Sequence, residues 1–217
     1  MICKDAYLRL LLGRPDNASR MIKKTTIILV FILIASSTQA QFRKERSTLG
    51  QVGIGTLEVL GFEATTSTVL YLSPRRFSRW EDEFWKYWGE NLRRAYTSPP
   101  IWDEDLWIVN YIGHPIQGSY FYNAVRSQGA GFWTSSAFTL GHTLLWEYFL
   151  EALNEQPSAN DLIVTPIAGV LLGEGVNWMT KHFKKGGFTT AEKIAVLVLN
   201  PFYVLNQGFK TKEPPIL

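Results

Sequence analysis

The stretch from Asp105 to Trp178 sets the hardest constraint on this chain. It is apolar enough for core or membrane helix. It nevertheless carries His114, His142, Glu147, Glu151, Asp161 and Glu174 among its apolar residues. An ionisable group is costly in apolar surroundings unless it is paired. Any fold must therefore bring these six side chains to partners, to a polar cluster or to solvent.

The N-terminal region has a different character. Residues 1–20 show no core pattern and read as an upstream extension. Met21 opens MIKKTTIILVFILIASSTQA, with Lys23 and Lys24 ahead of a short apolar run and small residues up to Ala40. These are the three parts of a secretory signal peptide, which predicts residues 21–40 as a leader and a mature start at Gln41. Six of the 22 Lys and Arg and two of the 19 Asp and Glu precede residue 41. That leaves 16 basic against 17 acidic residues. The basic balance thus belongs to the leader, and nucleic-acid binding loses its compositional support. Cys3, the only cysteine, also lies before residue 41. Export without disulfides points to a periplasm or envelope.

Periodicity predicts an all-α domain over residues 41–210, a single bundle of five to six helices, followed by a disordered tail at 211–217. Residues 49–72 are apolar and rich in small residues, and Gly53, Thr56, Gly61 and Ala64 would permit close helix approach. Residues 78–95 are amphipathic, with Ser78 and Glu81 at capping-box spacing. A helix beginning near Asp103 or Asp105 is interrupted at Gly113-His114-Pro115, because proline removes an amide donor. Residues 132–154 form a third segment. Ser158 and Asp161 have capping-box spacing and open a fourth over 159–182, with Pro166 as an internal defect. Thr189 and Glu192 cap a last helix, about 190–206, kinked by Pro201. None of these offers an uninterrupted apolar span, and 162–173 is too short. All eight tryptophans lie between Trp80 and Trp178, which suits either a packed helical core or a membrane interface.

Candidate site residues emerge from this layout. Glu147, Glu151 and Glu155 at i, i+4 and i+8 put three carboxylates on one face, a solvated edge or a row able to do acid–base work. His142 lies about 140° around the helix from Glu147, so the two make no same-helix metal pair. It faces with Phe138 and Trp146. His114 stands at the Pro115 break beside Asn110, where freed backbone groups often line sites. Asp161 has a capping role that suffices to account for it, and it stands with the candidate polar-site residues as well. Glu174, with Asn177 on its face, could reach His142, His114 or Arg126 across the strip made by Gly169 and Gly173. GxSxG, P-loop, GxGxxG and Cys/His zinc patterns are absent, so neither a cofactor nor a metal is expected.

The run DEDLWIVNYIGHPIQGSYFYNAVRSQG, followed by WEYFLEALNEQPSANDLIVTPIAGVLLGE, resembles the bacterial domain-of-unknown-function family numbered 3943. The similarity covers roughly 100–180. It marks Asn110, His114, Pro115, Gly118, Trp146, Glu147, Glu151, Ser158, Asp161, Thr165, Pro166, Gly169, Gly173 and Glu174 as motif positions without assigning roles. It implies an exported, envelope-associated protein. A fainter similarity to VanZ-like helical membrane proteins rests on isolated residues.

The expectation is an exported envelope protein, periplasmic or membrane-associated. It would bind a lipid, glycan or protein partner without catalysis, at a cleft near His114, Glu147 and Glu174. An envelope lipid or glycan hydrolase or transferase with a carboxylate–histidine pair is one alternative. An integral membrane bundle is the other.

Overall fold

The computed structural model describes residues 46–74, 80, 86–103 and 105–209. The chain divides into two units between Gln41 and Phe42, and every described residue belongs to the second. The expected leader at 21–40, the Ser78–Glu81 cap and the tail at 211–217 lie outside the described residues.

Among the described residues there are seven α-helices and no β-strand. They are α1 (Thr48–Leu72), α2 (Trp88–Thr97), α3 (His114–Arg126), α4 (Phe132–Leu145), α5 (Asp161–Gly186), α6 (Thr190–Leu199) and α7 (Pro201–Gln207). The all-α expectation holds. Its segment boundaries move in three places, each for a local reason.

Pro115 does not break its helix. A π-helical turn over Val109–Gly113 runs directly into α3. Widening the turn before a proline makes room for a ring that an ordinary turn would push against a carbonyl. The 132–154 segment likewise changes pitch, through a π turn at Trp146–Leu150 and a 3-10 turn at Glu151–Leu153. The expected last helix is two helices, since Pro201 starts α7 and Asn200 caps it by accepting from the Tyr203 amide at 3.2 Å. Thr189 and Glu192 do form a capping box on α6. Gly187, at φ +80°, ends α5 in a left-handed conformation that suits glycine.

The centre of the bundle is the contact of α3 with α5. At Gly118 a Cβ would sit 2.1 Å from the Thr165 carbonyl oxygen, and one at Gly169 would sit 2.5 Å from the Gly118 Cα. The two backbones touch because neither residue has a side chain. The small-residue strip on α5 therefore works as its spacing predicts. On α1 the close approach falls elsewhere than expected. Nothing approaches Gly53 or Gly61, whereas a Cβ at Gly55 would meet Val125 at 2.5 Å. Around these contacts pack Val59, Phe121, Val125, Phe138 and Phe202, and a smaller cluster of Phe188, Val196 and Tyr203 seats α6 and α7.

Polarity in this bundle is turned inside out. Among the described residues, 18 polar or charged side chains are buried against 16 apolar ones, while 30 large apolar side chains are exposed. Helix α5 makes the pattern plain. Asp161, Thr165, Gly169, Gly173, Asn177 and Thr180 face inward, and Ile163, Ile167, Leu171 and Trp178 face outward. Helix α4 repeats it, with Ser135, Thr139, His142 and Thr143 buried and Trp133, Leu140 and Leu144 exposed. Scattered exposed apolar residues are ordinary, but so many large ones around an interior this polar are not. Helix α5 is also long and apolar enough to cross a membrane. By length and composition the expectation that no segment offers a span fails here, because the apolar stretch runs on past the single charge at Glu174.

Candidate functional site

Both π turns lie at the same end of the bundle, and each delivers side chains to one polar cluster. A π turn carries an extra residue per turn and so rotates the residues on either side of it relative to each other. The first places Asn110 and His114; the second places Glu147. The loop ahead of the first supplies Asp103, and the start of α5 supplies Ser158 and Asp161. A short backbone link fastens these two segments, with the Ile101 amide donating to Pro157 O at 3.0 Å and the Ala159 amide to Ile101 O at 2.7 Å.

Ser158 is the hub. Its amide donates to Glu147 Oε2 at 2.8 Å, its hydroxyl donates to Asp103, and its Oγ accepts from the Asp161 amide at 3.1 Å. Half of the expected capping box is present. The other half has been exchanged: Glu147, from a different helix, takes the Ser158 amide that the box assigns to Asp161. Asp161 is thereby released toward His114, whose Nε2 lies 3.4 Å from Asp161 Oδ2. The second ring nitrogen, Nδ1, lies 3.2 Å from Thr165 Oγ1. This suits a ring that donates from Nε2 to the carboxylate and accepts the threonine hydroxyl at Nδ1.

Asp103 sits at the rim of the cluster. It also accepts from Asn110 Nδ2 at 2.6 Å and from the Asp105 amide at 2.9 Å. Partial burial pushes its carboxyl up, but the hydrogen bonds from Ser158, Asn110 and Asp105 outweigh that and hold it below the usual aspartate range. Beneath it the network is incomplete. Glu147 Oε1, Asp161 Oδ1 and Asn110 Oδ1 receive no N–H or hydroxyl, the Glu147 carboxyl sharing a hydrogen bond with that of Glu151 instead, and the Asn160 carboxamide has no partner at either atom. Buried polar atoms left this way are uncommon and call for an explanation.

His142 and Glu174 lie elsewhere, whereas Glu151 adjoins Glu147. His142 pairs with Glu63 of α1, Nδ1 to Oε1 at 3.2 Å, with Glu63 fully buried. The sequence reading missed Glu63. A signal for it exists, since Glu58 and Glu63 are the only charged residues in α1. Glu174 is held by Arg126, Nε to Oε2 at 2.8 Å and Nη2 to Oε1 at 3.0 Å, and by the Tyr122 hydroxyl at 2.5 Å. Of its three expected partners it takes Arg126. It stands 13 residues along α5 from Asp161, roughly 20 Å of helix, so it shares no cleft with His114. Glu151 accepts from Trp146 Nε1 at 2.6 Å. Of the expected row, Glu147 and Glu151 stay side by side through the change of pitch, their carboxyls hydrogen-bonded to each other. Asp103, expected only as a helix start, and Ser158, expected as a cap and a motif position, are central here. Among the described residues no three His, Cys, Asp or Glu side chains are grouped so as to hold a metal ion.

Residues 99–202 match the family model described as a domain of unknown function, DUF3943. The match contains the whole polar cluster. No curated protein and no solved structure matches the chain. The fainter VanZ-like similarity is not shown by these comparisons.

Proposed function

For a chain whose residues 99–202 belong to the domain-of-unknown-function family DUF3943, we propose a membrane-embedded helical domain of the cell envelope. Its polar cluster binds a ligand rather than catalysing a reaction. The observation that carries the reading is the inverted polarity of the bundle. In water, thirty exposed large apolar side chains would be a liability; in lipid they are the solvent-facing surface.

The dimensions fit. Helix α1 has 25 residues and α5 has 26, each longer than a hydrocarbon core about 30 Å thick, and among the described residues α5 alone is apolar enough as well. Exposed Trp102 and Trp107 lie at the end holding the polar cluster, and exposed Trp133 and Trp178 lie near the other. From Asp161 to Trp178 is roughly 26 Å along the helix axis, so the indoles form two levels at about membrane spacing. Lys181, Lys184 and Lys185 come after Trp178, where the chain would meet water. Within the bundle, Gly118 against Gly169 is the small-residue packing that membrane helices favour.

Binding is favoured over hydrolysis or transfer by the pairing of the histidines. An acid–base pair needs a histidine able to reach both a catalytic carboxylate and a substrate. Both nitrogens of His114 are engaged within the bundle, by Asp161 and Thr165, and His142 is engaged by Glu63. Alkaline carbonate washing of envelopes containing the full chain, followed by flotation, tests the membrane assignment. The chain is expected to stay with the floating membranes. Release into the wash would refute it.

A further inference from the structure

Helix α5 carries one outward stripe along its length. Ile167, Leu171 and Trp178 are exposed on it, and Lys181, His182 and Lys185 continue it at the C-terminal end. At about 100° per residue these positions fall within roughly 80–100° of one helix face, so they line up along the axis. The order is apolar, then indole, then cationic. A phospholipid presents the matching order from its acyl chain outward to its phosphate. Glu174 lies on the same stripe, but Arg126 and Tyr122 hold both its oxygens.

The cations at the end of the stripe have no anion of their own. Among the described residues Lys181, Lys184 and Lys185 make no ion pair. The nearby carboxylates are committed, Glu174 to Arg126 and Glu192 to the amide and hydroxyl of Thr189. The partial negative charge of the helix C-terminus offsets only part of the charge of three lysines. His182 stacks on Trp178, with ring centroids 5.7 Å apart and 18° between the planes, which holds the indole at the foot of the lysines. Lys181 and Lys185 lie roughly 4.5 Å and 10 Å beyond Trp178 along the axis. An indole settles between acyl chains and headgroups, so both ammonium groups stand at the level of the phosphates. In the other direction, Trp178 to Ile167 is roughly 16 Å, the depth of one leaflet of a hydrocarbon core about 30 Å thick.

We propose that this face of α5 binds an anionic phospholipid, with its phosphate on Lys181 and Lys185 and an acyl chain along Leu171 and Ile167. The inference rests on the membrane reading. A soluble phosphate meets the lysines but leaves the apolar part of the stripe unused. A zwitterionic lipid covers the apolar part but brings its own cation up to the lysines. Only a lipid of net negative charge satisfies both parts.

The experiment follows the thermal unfolding midpoint of the full chain in detergent micelles. The additions are phosphatidylglycerol, phosphatidylcholine with the same acyl chains, or glycerol phosphate. A saturating rise of several degrees is expected with phosphatidylglycerol, with little from phosphatidylcholine and none from glycerol phosphate. Lys181→Gln combined with Lys185→Gln, both exposed positions, should raise the half-saturating phosphatidylglycerol concentration by about tenfold or more. The same loss of charge on α2, Arg93→Gln with Arg94→Gln, should leave it unchanged. That helix packs at the other end of the bundle, where Asn91 Nδ2 donates to Leu153 O at 3.0 Å. An equal rise with phosphatidylcholine or glycerol phosphate overturns the proposal. So does a half-saturating concentration unmoved by loss of the two lysines, or moved equally by loss of the two arginines. A chain that floats after carbonate washing yet shows no preference for phosphatidylglycerol loses this inference alone. Release by carbonate loses the membrane reading and this inference with it.

Discussion

Gly118→Ala tests the packing argument most sharply. The added Cβ would lie 2.1 Å from the Thr165 carbonyl oxygen and 2.9 Å from the Gly169 Cα. Both atoms are backbone, so no side chain can rotate away. Restoring van der Waals distance requires α3 and α5 to separate by about 1 Å, and a gap of that size forfeits a quarter to a half of each contact across the interface. Overpacking ordinarily costs about 1–3 kcal/mol, and a backbone-to-backbone clash belongs at the top of that range. For a domain of this size, about 3 kcal/mol lowers the unfolding midpoint by roughly 6–12 °C. Gly175→Ala is the matched control. It lies in the same helix pair, where a Cβ meets nothing within 4 Å, and it should stabilise by about 0.5–1 kcal/mol through helix propensity alone. Thermal unfolding in detergent, tracked by circular dichroism, reads both. A Gly118→Ala protein as stable as wild type, or a Gly175→Ala protein equally damaged, would refute the close-contact account.

Three further outcomes are expected. Glu63→Leu alone should destabilise by about 3–5 kcal/mol by stranding His142, while the double change with His142→Leu recovers most of that loss; a double-mutant cycle in unfolding free energy checks it. Glu174→Gln should cost about 1–2 kcal/mol, discounted because Glu174 is 36% exposed, and the loss should vanish in an Arg126→Leu background. Because Asp103 has its carboxyl depressed by hydrogen bonds, its stabilisation is complete above the unfolded aspartate value of about 3.9 and fades as pH falls through the lower folded one. Asp103→Asn should therefore lower the midpoints by a constant amount above pH ~4 and flatten the acid limb below it, which a pH series of midpoints will read.

What the sequence disclosed and what it hid have physical reasons. Helix positions track apolar periodicity and capping residues, and Thr189 with Glu192 behaves as its spacing says. Ser135, Thr139, His142 and Thr143 share a face with Phe138, but what covers that face depends on Glu63 of α1, which lies far away in the chain. The small-residue strip of Gly169 and Gly173 was legible because only close approach explains it. Glu147 and Asp161 could be named but not joined. Their link runs through Ser158, and it depends on a capping bond exchanged between helices, which no local pattern records. The π turns were invisible because their extra residue resembles ordinary helix until the hydrogen bonds are traced.

Those turns bear on how the chain can change over generations. A π turn is an α-helix holding one residue too many, so a single-codon deletion is its natural reversal. Loss of Ile112 would let the segment before α3 close into regular helix and swing Asn110 about 100° away from His114. Loss of Phe149 would move Glu147 against the helix after it in the same way. Lineages can therefore discard the polar cluster by deletions at these two points while Gly118 still meets Gly169. A relative with both turns regularised would keep the bundle as an empty scaffold, and the length of these two short segments becomes a marker of which descendants retain the site.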